Sequence, residues 1–296
     1  MQRLPYAVLA TGVLAVSTAS ILIRFAQAQG MDELTIAAYR LLFAALLLMP
    51  FAVSAGVRAL RGFTLRDLLQ IVAAGACLAI HFATWISSLA FTSVASSVAL
   101  VTSHPLWVGL IAYLVFRERP GRATVAGIGL TLIGALTIMW SDQSHGIGPA
   151  PLIGNLLATA GAAAIAAYIV LARSMRLAIG TLGYVGIVYA IAAVLLILGA
   201  AGCGRLFAGL SGAGLSFVFA MAVVPQLIGH TAINYAARQL RPTMVSVAIL
   251  AEPILSAAFA WVLFQESVAP LQMLGFALTL CGIVFCALER RCDEAG

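Results

Sequence analysis

Ten stretches of about 20 mainly apolar residues follow one another along this chain, and that pattern leaves few folds open. They cover approximately residues 5–26, 34–55, 68–89, 94–116, 121–140, 152–172, 180–201, 214–236, 243–264 and 269–288. As an α-helix, each is long enough to cross the hydrocarbon core of a bilayer. A segment in lipid must satisfy its own backbone hydrogen bonds, which a helix does alone. Composition agrees. Of 296 residues, 63% are hydrophobic and 9% charged, whereas a soluble domain is about 25% charged. The expected fold is all-α: a polytopic membrane protein of ten transmembrane helices whose main partner is the lipid bilayer.

The two halves repeat. His104-Pro105, an apolar run and Phe116-Arg117-Glu118 in the first half correspond to Glu252-Pro253, an apolar run and Phe264-Gln265-Glu266 in the second. The offset from 105 to 253 is 148, and it recurs from Glu118 to Glu266, Gly127 to Gly275 and Gly134 to Gly282. Four landmarks at one offset mark an internal duplication. The expected units are residues 1–140 and 152–288, joined by the Ser-, Gly- and Pro-rich connection Ser141–Pro151. Five spans per unit is an odd number, so the second unit enters from the opposite face. Two inverted five-helix repeats are the layout of secondary transporters, with a site expected near the midplane between them.

Charge sets the orientation. Placing the N-terminus inside puts thirteen arginines on inside segments: Arg3, Arg58, Arg61, Arg66, Arg117, Arg119, Arg122, Arg173, Arg176, Arg238, Arg241, Arg290 and Arg291. Only Arg205 falls outside. That bias predicts cytoplasmic N- and C-termini in a bacterial inner membrane. The formal net charge of +6 comes from these loop clusters, which are not basic stripes, so no nucleic-acid partner is expected. No obligatory protein partner is evident either. Residues 1–29 have some features of a secretory signal, but the apolar run is too long and Arg24 precedes the supposed cleavage site. Arg24 also has a counterpart in Arg173, 149 residues on. The segment is therefore expected to be a retained span. The five cysteines, Cys77, Cys203, Cys281, Cys286 and Cys292, form no CxxC and are expected to be buried, unpaired thiols. No metal or cofactor signature is found, nor an HExxH, GxSxG or Walker A loop. An enzyme is not expected.

Polar residues inside a bilayer are costly, so each needs a reason. Span three carries Cys77, His81 and Trp85 at four-residue spacing, on one helical face. Span eight carries Gln226, His230 and Asn234 at the same spacing, and an offset of 149 superposes the two triplets. The matched histidines read either as two walls of one substrate cavity or as packing groups that donate to neighbouring carbonyls. Glu252 lies well inside span nine beside Pro253, and His104 stands in the equivalent place beside Pro105. Both pairs are candidates for coupling or gating. The alternative is that Glu252 and His104 satisfy backbone groups freed by a proline kink within a continuous helix, for which Pro105 would free the Val101 carbonyl and Pro253 that of Ile249. Arg40, six residues into span two, either reaches the outer headgroups or faces the cavity and attracts a carboxylate. Arg24 and Arg173 are expected to snorkel to opposite faces. Tyr39, Trp107, Tyr168 and Tyr189 are aromatic candidates for stacking on a substrate, with helix packing as the alternative. Glu118 and Glu266, followed by Pro120 and Pro270, read as turn and cap formers. The glycines at 127, 134, 275 and 282 read as close-packing positions.

With these features in place, the chain resembles the EamA family of the drug/metabolite transporter superfamily. The resemblance rests on Ser-Val-Ala-Ser-Ser-Val at 93–98 with Phe-Arg-Glu at 116–118, on Leu250-Ala-Glu-Pro-Ile-Leu with Phe-Gln-Glu at 264–266, and on Ser17, Ile23-Arg24 and Tyr39-Arg40-Leu41. It covers nearly the whole chain. It implies a bacterial inner-membrane carrier, often an exporter of amino acids or other small metabolites, with a cavity lined by spans one to four and six to nine. Spans one and six carry no acidic residue, which departs from the small multidrug-resistance members and argues against cationic drug antiport. Arg40 is a single deep cation, too few for a nucleotide-sugar carrier. The expected function is alternating-access export of a small polar metabolite, an amino acid first. A multidrug or toxic-metabolite exporter is the second reading, and a membrane enzyme or sensor using His81, His230 and Glu252 is a remote third.

Overall fold

The computed structural model describes residues 4–60, 63–117, 121–179, 181–237, 239–240 and 242–294. Glu118 and Pro120, the side chains of Arg173, Cys286 and Cys292, and Arg3, Arg61, Arg119, Arg238 and Arg241 of the arginine count lie outside the described residues. All secondary structure among the described residues is helical. Span one is Leu4–Ser17 continued by Ala19–Ala28; span two is Glu33–Leu60 and span three Leu65–Phe91. Span four is divided into Val94–Val101 and His104–Phe116; span five is Arg122–His145, span six Pro151–Ile179 and span seven Thr181–Gly202. Span eight is Gly212–Met221, a π-helical stretch Ala222–Gly229 and His230–Ala237. Span nine is divided into Pro242–Ile249 and Ala251–Phe264, and span ten is Pro270–Glu294. Spans one to eight are each long and apolar enough to cross a bilayer, while the apolar helices of nine and ten are shorter.

Local chemistry places several of these boundaries. Span three starts in a capping box: Thr64 Oγ1 accepts from Asp67 N, and Asp67 Oδ2 accepts from Thr64 N at 2.9 Å. The divided spans correct the expected kinks. Each proline sits in the first turn of a new helix, where a missing N–H goes unmissed. Both second pieces end alike, with a non-glycine residue in the left-handed region: Arg117 at φ 56° and Gln265 at φ 57°. That conformation costs roughly 1–2 kcal/mol per residue. Its occurrence at both 117 and 265 shows the duplication reaching backbone dihedrals.

Packing follows the repeat. Span five lies against ten, two against seven, three against six and one against eight. Exchanging the repeats leaves the first two pairs unchanged and interchanges the last two, as a two-fold relation requires. The five–ten pair depends on glycine. A Cβ on Gly275 would stand 2.7 Å from Ile138 Cγ1 and 2.9 Å from the Gly134 carbonyl oxygen. Gly275→Leu should therefore force the helices apart and cost about 1–3 kcal/mol. A fall in melting temperature in detergent, with exchange per folded molecule retained, is the expected result, because neither helix reaches the site described below.

Two other expectations are corrected. Cys77 is half-buried, and Cys203 and Cys281 are exposed, so among the described cysteines none is a fully buried thiol. Arg24 does not snorkel alone. It forms an ion pair with Glu266 across the interface between repeats, both side chains partly buried.

Candidate functional site

A cavity of about 370 Å³ lies between the two repeats, with walls from spans one to four and six to nine. Ten of the fourteen candidate residues line it. Span two contributes Arg40, and span three His81 and Trp85 together with Phe82. His104 comes from the restart of span four, and Tyr168 and Tyr189 from spans six and seven. Span eight supplies Gln226, His230 and Asn234, and span nine Glu252. Tyr39, Trp107, Pro105 and Pro253 do not line this cavity. Tyr39 packs beside Phe43, with ring centroids 6.3 Å apart. The prolines act at one remove, by placing the helix starts that carry His104 and Glu252.

Arg40 is 2% exposed, which corrects the headgroup reading. Its Nη2 donates to Gln226 Oε1 at 2.7 Å, and Tyr189 hydrogen-bonds the same glutamine. The guanidinium carbon lies 4.6 Å from the Phe82 ring centroid and 5.6 Å from that of Trp85, within cation–π range. Span three thus holds the cation by its rings and span eight by its amide.

The two histidines differ. His81 is buried and stacks on Trp85 at 5.8 Å between centroids. Its Nδ1 lies 2.9 Å from the Gly161 carbonyl, so Nδ1–H is the donor and Nε2 is left as an acceptor. Span six comes close enough for this bond because residue 161 is glycine; a Cβ there would stand 3.1 Å from Thr84 Oγ1. His230, by contrast, opens onto the cavity with no hydrogen bond to another described residue. Both histidines line the cavity, and of the two only His81 also bonds a neighbouring carbonyl.

His104 and Glu252 also part company. The His104 ring bonds the Val101 carbonyl, one of the free carbonyls at the end of the first piece of span four. No such bond ties down Glu252 among the described residues. Its carboxylate sits in the first turn of a half-helix, where the helix dipole favours negative charge. No trio of His, Cys, Asp or Glu side chains among the described residues is placed to hold a metal ion.

On the bundle face that carries neither terminus, an aromatic cluster joins spans one, eight and nine. Phe25 stacks on Phe217 at 5.3 Å and meets Phe264 edge-on at 5.2 Å. Beside it, Glu266 pairs with Arg24 through Oε1 and accepts Val94 N at 2.9 Å through Oε2. Glu266 is therefore a cap, as expected, but of span four and not of its own turn. Asp32 and Arg205 pair at 3.1 Å between the loops of the two repeats.

One buried acid on this face was missed. Asp142 is 0% exposed. Its carboxylate accepts from Ser96 Oγ at 3.0 Å, Gln272 Nε2 at 2.7 Å, Thr92 Oγ1 at 3.2 Å and Asn155 Nδ2 at 2.7 Å. It binds the corner between spans three and four to spans five, six and ten. The available signal was the set of otherwise unexplained polar residues Ser96, Asn155 and Gln272 inside apolar runs.

Comparison with known proteins decides the family. Residues 4–140 and 152–288 each match the EamA-like transporter family. The chain belongs to that family. Its all-helical, ten-span, two-repeat architecture is thus that of an EamA-like membrane transporter of the drug/metabolite transporter superfamily. No curated protein matches the sequence. A solved crystal structure superposes with a TM-score of 0.64 at 21% identity, covering 98% of each chain, which establishes a shared fold and nothing further.

Proposed function

We propose that this EamA-like protein exports small polar metabolites by alternating access, with amino acids the favoured class. The observation that carries the reading is a cavity between the repeats, walled by equivalent side chains from each. His81 and Trp85 of the first repeat face the same space as His230 and Asn234 of the second. Two halves of one ancestry can exchange conformations and so open the cavity to either face in turn. The volume of about 370 Å³ is at the small end of the range for ligand pockets, which favours a metabolite over a bulky drug. The arginine distribution supports a bacterial inner membrane, with the termini cytoplasmic and the Phe25 cluster outward.

Counterflow tests the reading. Proteoliposomes loaded with unlabelled amino acids should accumulate labelled amino acid unchanged and saturably. A membrane enzyme would consume it, and liposomes with no exchange of any small metabolite would refute the carrier. The histidines refine the test. His230→Ala should lower exchange about tenfold, the effect of one lost ligand contact, without moving the melting temperature. His81→Ala should lower exchange and also destabilise by about 1 kcal/mol, because the Gly161 carbonyl loses its donor. Wild-type exchange in both variants would reduce the pair to packing.

A further inference from the structure

We infer that Arg40 and Trp85 form a carboxylate subsite, so that the transported ligand is an α-amino acid bound as a zwitterion and not an amine or a drug cation. The inference rests on the carrier reading and deepens it.

The first observation is a surplus of buried donors. A guanidinium has five N–H groups and no acceptor. Gln226 accepts from Nη2, and Arg40 Nε and Nη1, both buried, have no hydrogen-bond partner among the described residues. Those two nitrogens carry three N–H groups between them. No carboxylate lies within ion-pairing distance of Arg40 among the described residues, although buried charges are as a rule paired.

The second observation is independent. Trp85 Nε1, a donor only, is also buried without a partner, on a residue whose ring lies 5.6 Å from the Arg40 guanidinium carbon. Donors on two spans meet at one cavity wall with too few acceptors to serve them. A ligand group that brings acceptors and a negative charge completes the set, and the planar carboxylate matches a guanidinium best. A phosphate would need more than one deep cation. The opposite charge has a place as well. Glu252 lines the same cavity and acts electrostatically on Arg40 without pairing to it. Its carboxylate suits a ligand ammonium, and His81 Nε2 adds an acceptor. Leu78 and Ile165 leave apolar wall for a side chain.

Purified protein tests this by thermal stabilisation and by counterflow, using L-leucine, L-threonine and L-methionine against L-leucinamide and isoamylamine. At least one of the three amino acids should stabilise the wild type, and the two carboxylate-free compounds should bind about thirtyfold more weakly or worse, since they leave charged donors unpaired. Trp85→Phe, which keeps a ring and deletes the N–H, should weaken the amino acid about fivefold to tenfold, and Arg40→Lys at least about tenfold. The wild-type comparison needs no variant, so a misfolded Arg40 substitution does not decide the matter. The proposal is overturned if no amino acid stabilises the protein, if amide and amine bind as well as the acid, or if both variants bind unchanged. Counterflow of a carboxylate-free compound at wild-type rate in Arg40→Gln would overturn it too, while leaving the carrier intact. Binding that depends on the carboxylate and on Arg40 but gives no counterflow would support the subsite and remove the carrier reading instead.

Discussion

Glu266→Ala should open the cavity more widely at the end nearest the Phe25 cluster. In the wild type, Thr102 lies in the cavity wall, eight residues or about two helical turns along span four from Val94. From Ala19, in the cavity wall, to Phe25 is six residues of helix, about 9 Å. A cysteine at Thr102, in a chain with its native cysteines replaced, should therefore resist a membrane-impermeant thiol reagent applied from that face. Glu266 restrains this end twice, through the ion pair to Arg24 and through the cap on Val94 N. A lost N-cap costs about 1 kcal/mol. Breaking the ion pair adds about 1 kcal/mol, discounted for the partial exposure of both side chains. Together they shift the closed–open balance about thirtyfold, which is large if closing depends on a few such contacts. Labelling should rise accordingly. Glu266→Gln keeps an acceptor for Val94 N and should fall between. Unchanged labelling in Glu266→Ala would mean that the aromatic cluster and the Asp142 network hold this end without the pair.

What the sequence made legible was whatever depends on spacing along one helix or on one repeat offset. The spans, the duplication and the His81–His230 correspondence are of that kind. So is the service that His104 performs for the Val101 carbonyl, because donor and acceptor are three residues apart. Contacts between distant segments were not legible. Arg24 and Glu266 are 242 residues apart, and nothing local says that they meet, although each is half of an offset pair. Arg40 showed two possible directions from its depth alone, and only the position of Gln226 settles which one it takes. Tyr39 and Trp107 could not be separated from Tyr168 and Tyr189, because aromatic residues in apolar helices look alike until rotation about the helix axis is known.

Asp142 was lost for a different reason. The expected end of span five was two residues before it, and a polar residue past a span end reads as solvated. In the fold it is fully buried, and four donors from spans four, six, ten and the three–four corner surround it. Its repeat counterpart at offset 148 is Arg290, so the network has no acidic twin. The duplicated halves thus carry unlike polar groups at their span-five and span-ten ends, one place where the two faces of the carrier have diverged. The π-helical stretch about Pro225 is a second asymmetry. The equivalent residues of span three form regular helix, yet Gln226, His230 and Asn234 still reach the cavity together.

Glu252→Gln distinguishes the ways in which the carrier could be driven. The substitution keeps the size and hydrogen-bonding capacity of Glu252 and removes its charge. If the carboxylate receives the ammonium of a zwitterion whose other end lies on Arg40, substrate-for-substrate exchange should fall at least about tenfold, because a charge-assisted bond becomes a neutral one. Stability should hold, since no described residue depends on Glu252 for a hydrogen bond. That is the expected result. A proton carrier would behave differently: exchange would continue at the wild-type rate, while accumulation against a pH gradient would be lost, since Gln cannot load and release a proton as the cavity changes faces. Measuring exchange and gradient-driven uptake in the same proteoliposomes separates the two roles. Wild-type values for both would remove Glu252 from binding and from coupling, and would leave His230 and Asn234 among the polar groups that line the cavity from the second repeat.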